Sequence, residues 1–273
     1  MTGTPVTPRP SAAVVLMRDR AASEGGGGGG GGGGVVVFMV RRHVRSEFAP
    51  DVYVFPGGSV KGSDLAVERA PGLCAPGGDD ATGLGAGYRV AALRECFEEA
   101  GVLLARRDGE RRAVAPLAVG PGDVDRFAHY RDSLNNRTLT LHDLATREGL
   151  TLATDELLHW SHWITPEAWP KRFDTHFFLA VAPPEQEAAH DRLEVTASVW
   201  TTPEDALAGY ERGDFPLVFA TEHQLRALAN IPSVAAARDR FSAGRVRTMR
   251  PHVVHEDGRE VIVLPDVPDG DEQ

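Results

Sequence analysis

The segment RECFEEAGV, residues 94–102, constrains this chain most strongly because it places three glutamates within five consecutive positions. Apolar residues recur around it with helical spacing, which predicts a helix over residues 88–100 that ends at Gly101. At about 100° per residue, the glutamates fall on one side of this helix and the apolar residues on the other. The two sets are Glu95, Glu98 and Glu99 against Val90, Leu93, Phe97 and Ala100. We expect the apolar side to pack on a sheet and the acidic side to face away from the core.

The acidic side has two interpretations when only the residues are considered. Solvated helix faces often carry glutamates at these spacings, and water screens their repulsion. No lysine follows Glu95 or Glu98 by four residues, however, so no helical ion pair offsets the charge. Two unit charges about 6 Å apart repel by roughly 3 kcal/mol at an effective dielectric of about 20. A buried acidic side would need a cation, and carboxylate oxygens suit Mg²⁺ or Mn²⁺. The spacing alone leaves both interpretations open.

Two motifs together resemble those of a known family. RECFEEAGV matches the end of the Nudix box, and FPGG at residues 55–58 matches its front, so the chain resembles the Nudix hydrolases. Counting forward from Gly58, Asp64 fills the first acidic position of the box, and a Gly- and Asp-rich insertion at residues 65–87 follows. Such an expanded box is similar to the Nudix branch that contains the peroxisomal coenzyme A diphosphatase. Three other segments also resemble that branch, namely residues 42–48, 163–167 and 172–178.

The resemblance implies hydrolysis of a diphosphate, with water attacking one phosphorus and a divalent cation bound by the box. The implied ligands of Mg²⁺ or Mn²⁺ are Glu95, Glu98, Glu99 and the carbonyl of Gly57. Glu98 is favoured as the general base. Arg94 is expected to hold the glutamates or the FPGG loop through a bidentate pair rather than to touch the substrate. Asp64, one methylene shorter than glutamate, is a candidate auxiliary carboxylate.

The implied substrate is a nucleoside-diphosphate-linked small molecule, with coenzyme A or an acyl-coenzyme A suggested by the branch. Arg42 and Arg45 precede the FPGG strand and are candidates for binding substrate phosphates, against the alternative of a solvated strand end. A second function class is a Nudix-fold sensor that binds a nucleotide or cofactor without cleaving it. A sensor has no need of three acidic ligands, and because all three are present we favour the enzyme.

The order of apolar runs predicts an α/β fold. The resemblance specifies a Nudix-type α/β/α sandwich with a mixed β-sheet, a helical insertion and a C-terminal hairpin. We expect a Nudix domain over residues 12–232, an extension with the hairpin over 233–265, and disordered termini at 1–11 and 266–273. Within the domain, the special segments are a polyglycine loop at 25–34, the box insertion at 65–87 and a helical insertion at 121–158.

The composition limits the kinds of partner that the chain is expected to bind. The net charge is −10, so the chain has no basic footprint for nucleic acid and is not suited to anionic membranes. A site for phosphates must therefore gain positive charge locally. Cys74 and Cys96 have neither zinc nor disulfide spacing, and the N-terminal residues lack a signal-peptide pattern, which together predict a cytoplasmic protein with reduced thiols. Nudix relatives are often dimers, so a homodimer is a further candidate state.

Two sets of residues are expected to lie outside the site. His159 and His162 have His-x-x-His spacing, but zinc would need further ligands that the neighbouring sequence does not supply. We therefore predict a helix end with packed aromatic residues there. Glu194, in a predicted strand, is a further carboxylate that we expect to face solvent.

Overall fold

The computed structural model describes residues 6–21, 33–46, 48–70, 72–75, 84–107, 123–184, 186–191, 195–256 and 258–265. The strands are β1 (Arg9–Asp19), β2 (Val35–Arg42), β3 (Tyr53–Val54), β4 (Gly57–Ser59), β5 (Ala105–Arg107), β6 (Leu150–Leu152), β7 (Leu158–Ile164), β8 (Phe173–Val181), β9 (Val195–Thr201), β10 (Thr248–Met249), β11 (His252–Glu256) and β12 (Arg259–Val263). The helices are α1 (Gly62–Glu68), α2 (Ala86–Glu95), α3 (Val124–Asn135), α4 (Leu141–Glu148), α5 (Pro203–Arg212), α6 (Phe219–Leu228) and α7 (Val234–Ser242). A π-helical turn (Cys96–Ala100) extends α2, and a 3₁₀ turn (Thr154–Glu156) precedes β7.

The main sheet is mixed and has β1 at its centre. Its strand order is β10-β7-β8-β1-β2-β3, with β4 also paired to β1 and β9 also paired to β2. The β1–β8 and β7–β10 pairs are parallel, whereas β1 pairs antiparallel with both β2 and β4. One end of β1 therefore binds β2 and the other end binds β4, which brings the FPGG segment beside the middle of the sheet.

Alternate residues of β1 serve two separate cores. Val14 and Leu16 pack with α2 and the helical insertion, whereas Val15 and Met17 pack with α5, α6 and α7 on the opposite face. Because both faces are covered, the strand reads as a continuous apolar run rather than an alternating one. The α/β/α sandwich predicted from the sequence is confirmed.

Three local predictions differ from the structure. The segment with His159 and His162 lies in strand β7, not at a helix end. Residues of the Gly- and Asp-rich part of the box form α1, where Asp64 Oδ2 accepts from the Lys61 N–H at the start of the helix. The first strand begins at Arg9, so residues 9–11, which we assigned to a disordered terminus, pair with β8 and β4. In each case pairing or capping outweighs a weak local pattern.

The C-terminal hairpin is present as β11 and β12, which pair antiparallel around Gly258 at φ 77°. Strands β1 and β2, which flank the predicted polyglycine loop, pair antiparallel, and residues 22–32 between them lie outside the described residues. Within the described ranges, no helix combines the length and apolar character that crossing a membrane requires.

Candidate active site

The three glutamates lie on the C-terminal half of the helix formed by α2 and its π-helical turn, which we call the carboxylate helix. This half of the helix is buried on every side. Residues 90–100 are all buried, and Glu95, Glu98 and Glu99 keep only 7%, 7% and 6% of their surface exposed. The expectation that the acidic side faces away from the core is therefore wrong: it faces the β4 segment instead. The π-helical turn carries Glu98 and Glu99 and ends at Gly101, whose φ is 72°. Such turns are often found at functional sites.

Arg94 joins the carboxylates into one network. Its Nε donates to Asp64 Oδ1 at 2.8 Å, and its Nη2 donates to Asp64 Oδ2 at 3.0 Å. Nη1 donates to Glu95 Oε1 at 2.6 Å and to Glu98 Oε2 at 2.9 Å, while Nη2 also donates to the Ser59 carbonyl at 2.9 Å. Desolvation alone would lower the pKa of Arg94, but the surrounding carboxylates raise it, so the side chain stays charged.

Asp64 has a different environment from the three glutamates. Both of its oxygens accept from Arg94, and Oδ2 also accepts from the Lys61 N–H at 2.8 Å. The side chain is 1% exposed and closes the first turn of α1. Although 30 residues separate Asp64 from Arg94, the fold brings them into a bidentate pair. Asp64 is thus placed to orient Arg94.

The two glycines of FPGG allow β4 to approach the carboxylates. Val14 N–H donates to the Pro56 carbonyl and Val60 N–H to the Pro10 carbonyl. In an antiparallel pair, every second residue of a strand bonds to the partner strand. Because Pro56 and Val60 do so here, the N–H and C=O of Gly57 point away from β1. The Gly57 N–H donates to Glu99 Oε2 at 2.9 Å. A Cβ at Gly58 would lie 2.4 Å from Glu95 Oε1, so only glycine fits there without displacing the glutamate.

Arg131 of α3 holds the end of the carboxylate helix, and sequence reasoning missed it. Its Nε donates to the Glu98 carbonyl and its Nη2 to the Glu99 carbonyl, each at 2.9 Å. Nη2 also donates to the Ala189 carbonyl at 2.7 Å. Helix-terminal carbonyls need such partners. Nothing in the local sequence marks this arginine, because its partners are distant along the chain.

We expect Arg131→Ala to destabilise the protein by about 1–3 kcal/mol, because it removes charged donors from three carbonyls. Urea unfolding measures the change. Arg126→Ala, on the same helix, is the matched control, since Arg126 forms exposed contacts with Asp123 and Glu148. Equal losses for the two variants would contradict the assigned role of Arg131.

The electrostatics of the glutamates suit a cation. Burial raises the pKa of Glu95 to about 7, opposed by Arg94 and reinforced by repulsion from Glu98. Glu98 Oε2 accepts from Arg94 and lies 3.4 Å from Lys61 Nζ. Its Oε1 is buried without a hydrogen-bond partner among the described residues. A buried carboxylate oxygen without a partner is costly unless something binds it, and hard divalent cations prefer such oxygens. The donor set therefore fits Mg²⁺ or Mn²⁺.

Cys96 takes no part in this chemistry. Burial raises the pKa of its thiol to about 12, and Glu99 adds to the shift. The thiol therefore stays protonated at neutral pH and is a poor nucleophile.

A cavity of about 930 Å³ opens beside Glu95 and Glu98. Its walls carry six cationic side chains, which are Arg9, Arg42, Arg45, Lys61, Arg137 and Lys171. The acidic chain thus gathers positive charge locally at this site, as a phosphate ligand requires. The predicted residues Arg42 and Arg45 both line the cavity, and Arg42 Nε is buried without a hydrogen-bond partner in the described part of the chain.

Aromatic side chains also line the cavity. Phe48, Trp163, Trp169, Phe173 and Phe219 line it, and the Phe48 ring meets Phe173 edge-on at a centroid distance of 4.9 Å. Wide apolar walls with a few charged groups are typical of small-molecule sites. Glu194 lies outside the described residues.

Comparisons with known proteins agree with this arrangement. A protein-family model described as the NUDT19 Nudix domain matches residues 75–226. The acyl-coenzyme A diphosphatase NUDT19 of Gallus gallus is 29% identical over 233 residues, which covers 71% of this chain and 61% of that protein. The protein of the same name from Homo sapiens is 28% identical over 243 residues, covering 76% and 64%. The chain thus spans less than two thirds of the length of these curated relatives.

Among solved structures, a Nudix hydrolase from Alicyclobacillus acidocaldarius is similar over most of both chains. Its TM-score is 0.69 at 29% sequence identity, with 88% of this chain and 99% of that chain covered. The family match extends over more than half of the sequence and includes the carboxylate helix. The chain therefore belongs to the Nudix family, in the branch described by the NUDT19 Nudix domain.

Proposed function

We propose that this protein is a hydrolase that depends on Mg²⁺ or Mn²⁺ and cleaves the diphosphate bond of a nucleoside-diphosphate-linked molecule, with coenzyme A or an acyl-coenzyme A as substrate. One observation carries the proposal: three buried glutamates converge beside Gly57, and Glu98 Oε1 has no protein partner among the described residues. Glu95 and Glu98 also line the cavity, and burying three carboxylates costs free energy that a purely structural core has no reason to spend.

Each residue has a distinct role in this proposal. Glu95, Glu98 and Glu99, with the carbonyl of Gly57, hold the cation. When bound, the cation neutralises phosphate charge and lowers the pKa of water at the site. Glu98, which lines the cavity, also accepts the proton of the attacking water. Arg94, oriented by Asp64, is a positioning residue that keeps the glutamates in register.

The substrate class is supported by the shape and charge of the cavity. Its volume lies within the roughly 300–1,000 Å³ of small-molecule sites. The cationic side chains suit a diphosphate, and the aromatic side chains suit a nucleobase or an apolar acyl group. Trp163 lines the cavity, and its Nε1 is buried without a partner in the described part of the chain. The names of the relatives from chicken and human agree with an acyl-coenzyme A substrate.

A hydrolysis panel tests the proposal. The purified chain is incubated with coenzyme A, acyl-coenzyme A esters, dinucleotides and nucleotide sugars, with Mg²⁺ or Mn²⁺, and phosphorylated products are separated by chromatography. We expect fastest cleavage of a coenzyme A species and none after chelation. Tight binding of one of these ligands without any product would instead identify a Nudix-fold sensor.

Arg42→Ala is expected to raise KM for the diphosphate substrate by about 10-fold or more while changing kcat less, because one charged hydrogen bond is worth about 1.5–3 kcal/mol. Steady-state kinetics measure both constants. Arg226→Ala, at an exposed arginine paired with Glu222, serves as the charge-matched control. An unchanged KM in Arg42→Ala would remove Arg42 from the substrate site and support the solvated strand-end interpretation.

The cytoplasmic location and the homodimer remain part of the proposal. Fractionation of cells and light scattering of the purified chain test them directly. A small-molecule diphosphate is the partner that we propose for the site.

A further inference from the structure

Strands β7 and β8 bring histidines together on one face of the sheet, and none of these histidines is among the residues that we assign to catalysis. His162 of β7 lies directly opposite His176 of β8 and beside Thr248 of β10. Asp174 is two residues from His176 and so projects from the same face. The imidazoles of His162 and His176 stack with centroids 3.9 Å apart at an angle of 10°.

A bulge in β7 brings a third histidine to this face. Residues three apart on a regular strand point to opposite faces. The register shifts between His159 and Ser161, so Trp160 is an extra residue and His159 joins the side of His162. His159 Nε2 lies 2.9 Å from His176 Nδ1. The His-x-x-His pattern thus acquires on a strand the shared face that a helix would have given it.

We propose that His162, Asp174 and His176 form a second metal site that binds Zn²⁺. One ligand atom from each residue, a ring nitrogen or a carboxylate oxygen, lies within 4.8 Å of the others. Ligands about 2.1 Å from a tetrahedral zinc are about 3.4 Å apart, so shifts of about 1 Å bring the ligand atoms to that spacing. One of the two stacked imidazoles must also tilt, about its outer hydrogen-bonded nitrogen, so that both ring planes point at the ion. Two imidazoles and one carboxylate form a donor set that suits zinc better than magnesium.

The groups around the triad orient it for this role. His162 Nδ1 is bonded to Thr248 Oγ1 at 2.8 Å, which directs its Nε2 towards the Asp174 carboxylate. His176 Nδ1 is engaged by His159, so its Nε2 also faces Asp174, at 3.8 Å from Oδ1. Partners on the outer ring nitrogens are what fix metal-binding histidines in place.

An ion can reach the site from solvent. The side chains of His162, Asp174 and His176 are 15%, 31% and 11% exposed. Tyr88, near the start of α2, closes one side with its ring 4.7 Å from that of His176. Seven residues of helix, roughly 10 Å, separate Tyr88 from Glu95. The zinc site would therefore lie near the N-terminal end of the carboxylate helix, and the glutamates lie near its C-terminal end.

Zinc titration of chelator-treated protein in excess Mg²⁺ tests the inference, with isothermal calorimetry as the readout. The Mg²⁺ occupies oxygen ligands, so we expect one tightly bound Zn²⁺ at the histidines. Asp174→Asn, which preserves shape, and His162→Gln should each weaken it by more than the ~10–100-fold typical of outer partners. Thr248→Val should weaken it within that range.

Two control variants separate the zinc site from the rest of the protein. His190→Gln, at a histidine bonded to Ser198, should bind zinc as the wild type does. Glu98→Gln should also retain the zinc, which makes the inference independent of the proposed function. Co²⁺ bound in place of Zn²⁺ should give a visible absorption spectrum typical of nitrogen ligands. The spectrum should be lost in His162→Gln. Absence of zinc uptake in excess Mg²⁺ would show that the cluster is only a hydrogen-bonded histidine stack. Wild-type zinc affinity in both Asp174→Asn and His162→Gln would show the same.

Discussion

Glu98→Gln is expected to lower kcat for diphosphate hydrolysis by about 10²–10⁴-fold, the range typical of losing a general base. The amide keeps the volume of the side chain, and its carbonyl oxygen can still accept from Arg94, so the fold should survive. It cannot take a proton from water, and it lacks the negative charge that a cation needs. Initial rates under saturating substrate, together with circular dichroism, measure the effect.

Glu222→Gln provides the matched control, because Glu222 pairs with Arg226 on the surface of α6 far from the carboxylate network in sequence. Its kcat should equal that of the wild type. Comparison with Glu99→Gln assigns the base: a larger loss in Glu99→Gln would move that role to Glu99. Wild-type rates in both variants would place catalysis elsewhere.

Arg94→Ala is expected to reduce the free energy of unfolding by about 3–5 kcal/mol, the cost typical of breaking a buried ion pair. Arg94 is only 2% exposed and gives five hydrogen bonds or ion pairs to the box. Its removal leaves Asp64 and Glu95 buried without their main cationic partner. Urea unfolding followed by fluorescence measures the change.

Arg226→Ala is the control for this loss, since its ion pair with Glu222 spans 2.8 Å but Arg226 is 52% exposed. Exposed pairs are worth about 0–1 kcal/mol. Removing both buried partners, in Arg94→Met with Asp64→Leu, should recover part of the stability because no uncompensated carboxylate remains at Asp64. A cost in Arg94→Ala no larger than in Arg226→Ala would show that the network is not structural.

The motifs predicted which elements meet at the candidate site. FPGG and RECFEEAGV located β4 and the carboxylate helix, and the run of apolar residues located β1. The angular positions of residues around a single helix did not predict that the glutamates are buried. They contain no information about β4, which packs against the acidic side. Likewise, Asp64 was recognised as a box position, whereas its pairing with Arg94 depends on how α1 and α2 meet.

Other features depend on tertiary contacts that local patterns do not encode. Arg131 acts on carbonyls more than thirty residues earlier in the chain. The His159 segment was assigned to a helix end because its aromatic residues and spacing fit either state, and pairing with β8 decided for a strand. The bulge in β7 interrupts the alternation of side chains along the strand, and it also brings His159 to the same face as His162.

The meeting of Asp64 and Arg94 also has a practical consequence for engineering. The two ends of the expanded box are joined by that ion pair and by the hydrogen bond from the Gly57 N–H to Glu99 Oε2, so the connection between Ala75 and Leu84 is not needed to align them. Each doubling of the length of a loop costs only about 0.6 kcal/mol in closure entropy. We therefore expect that an affinity epitope or a reporter peptide inserted between Ala75 and Leu84 leaves the two halves of the motif aligned.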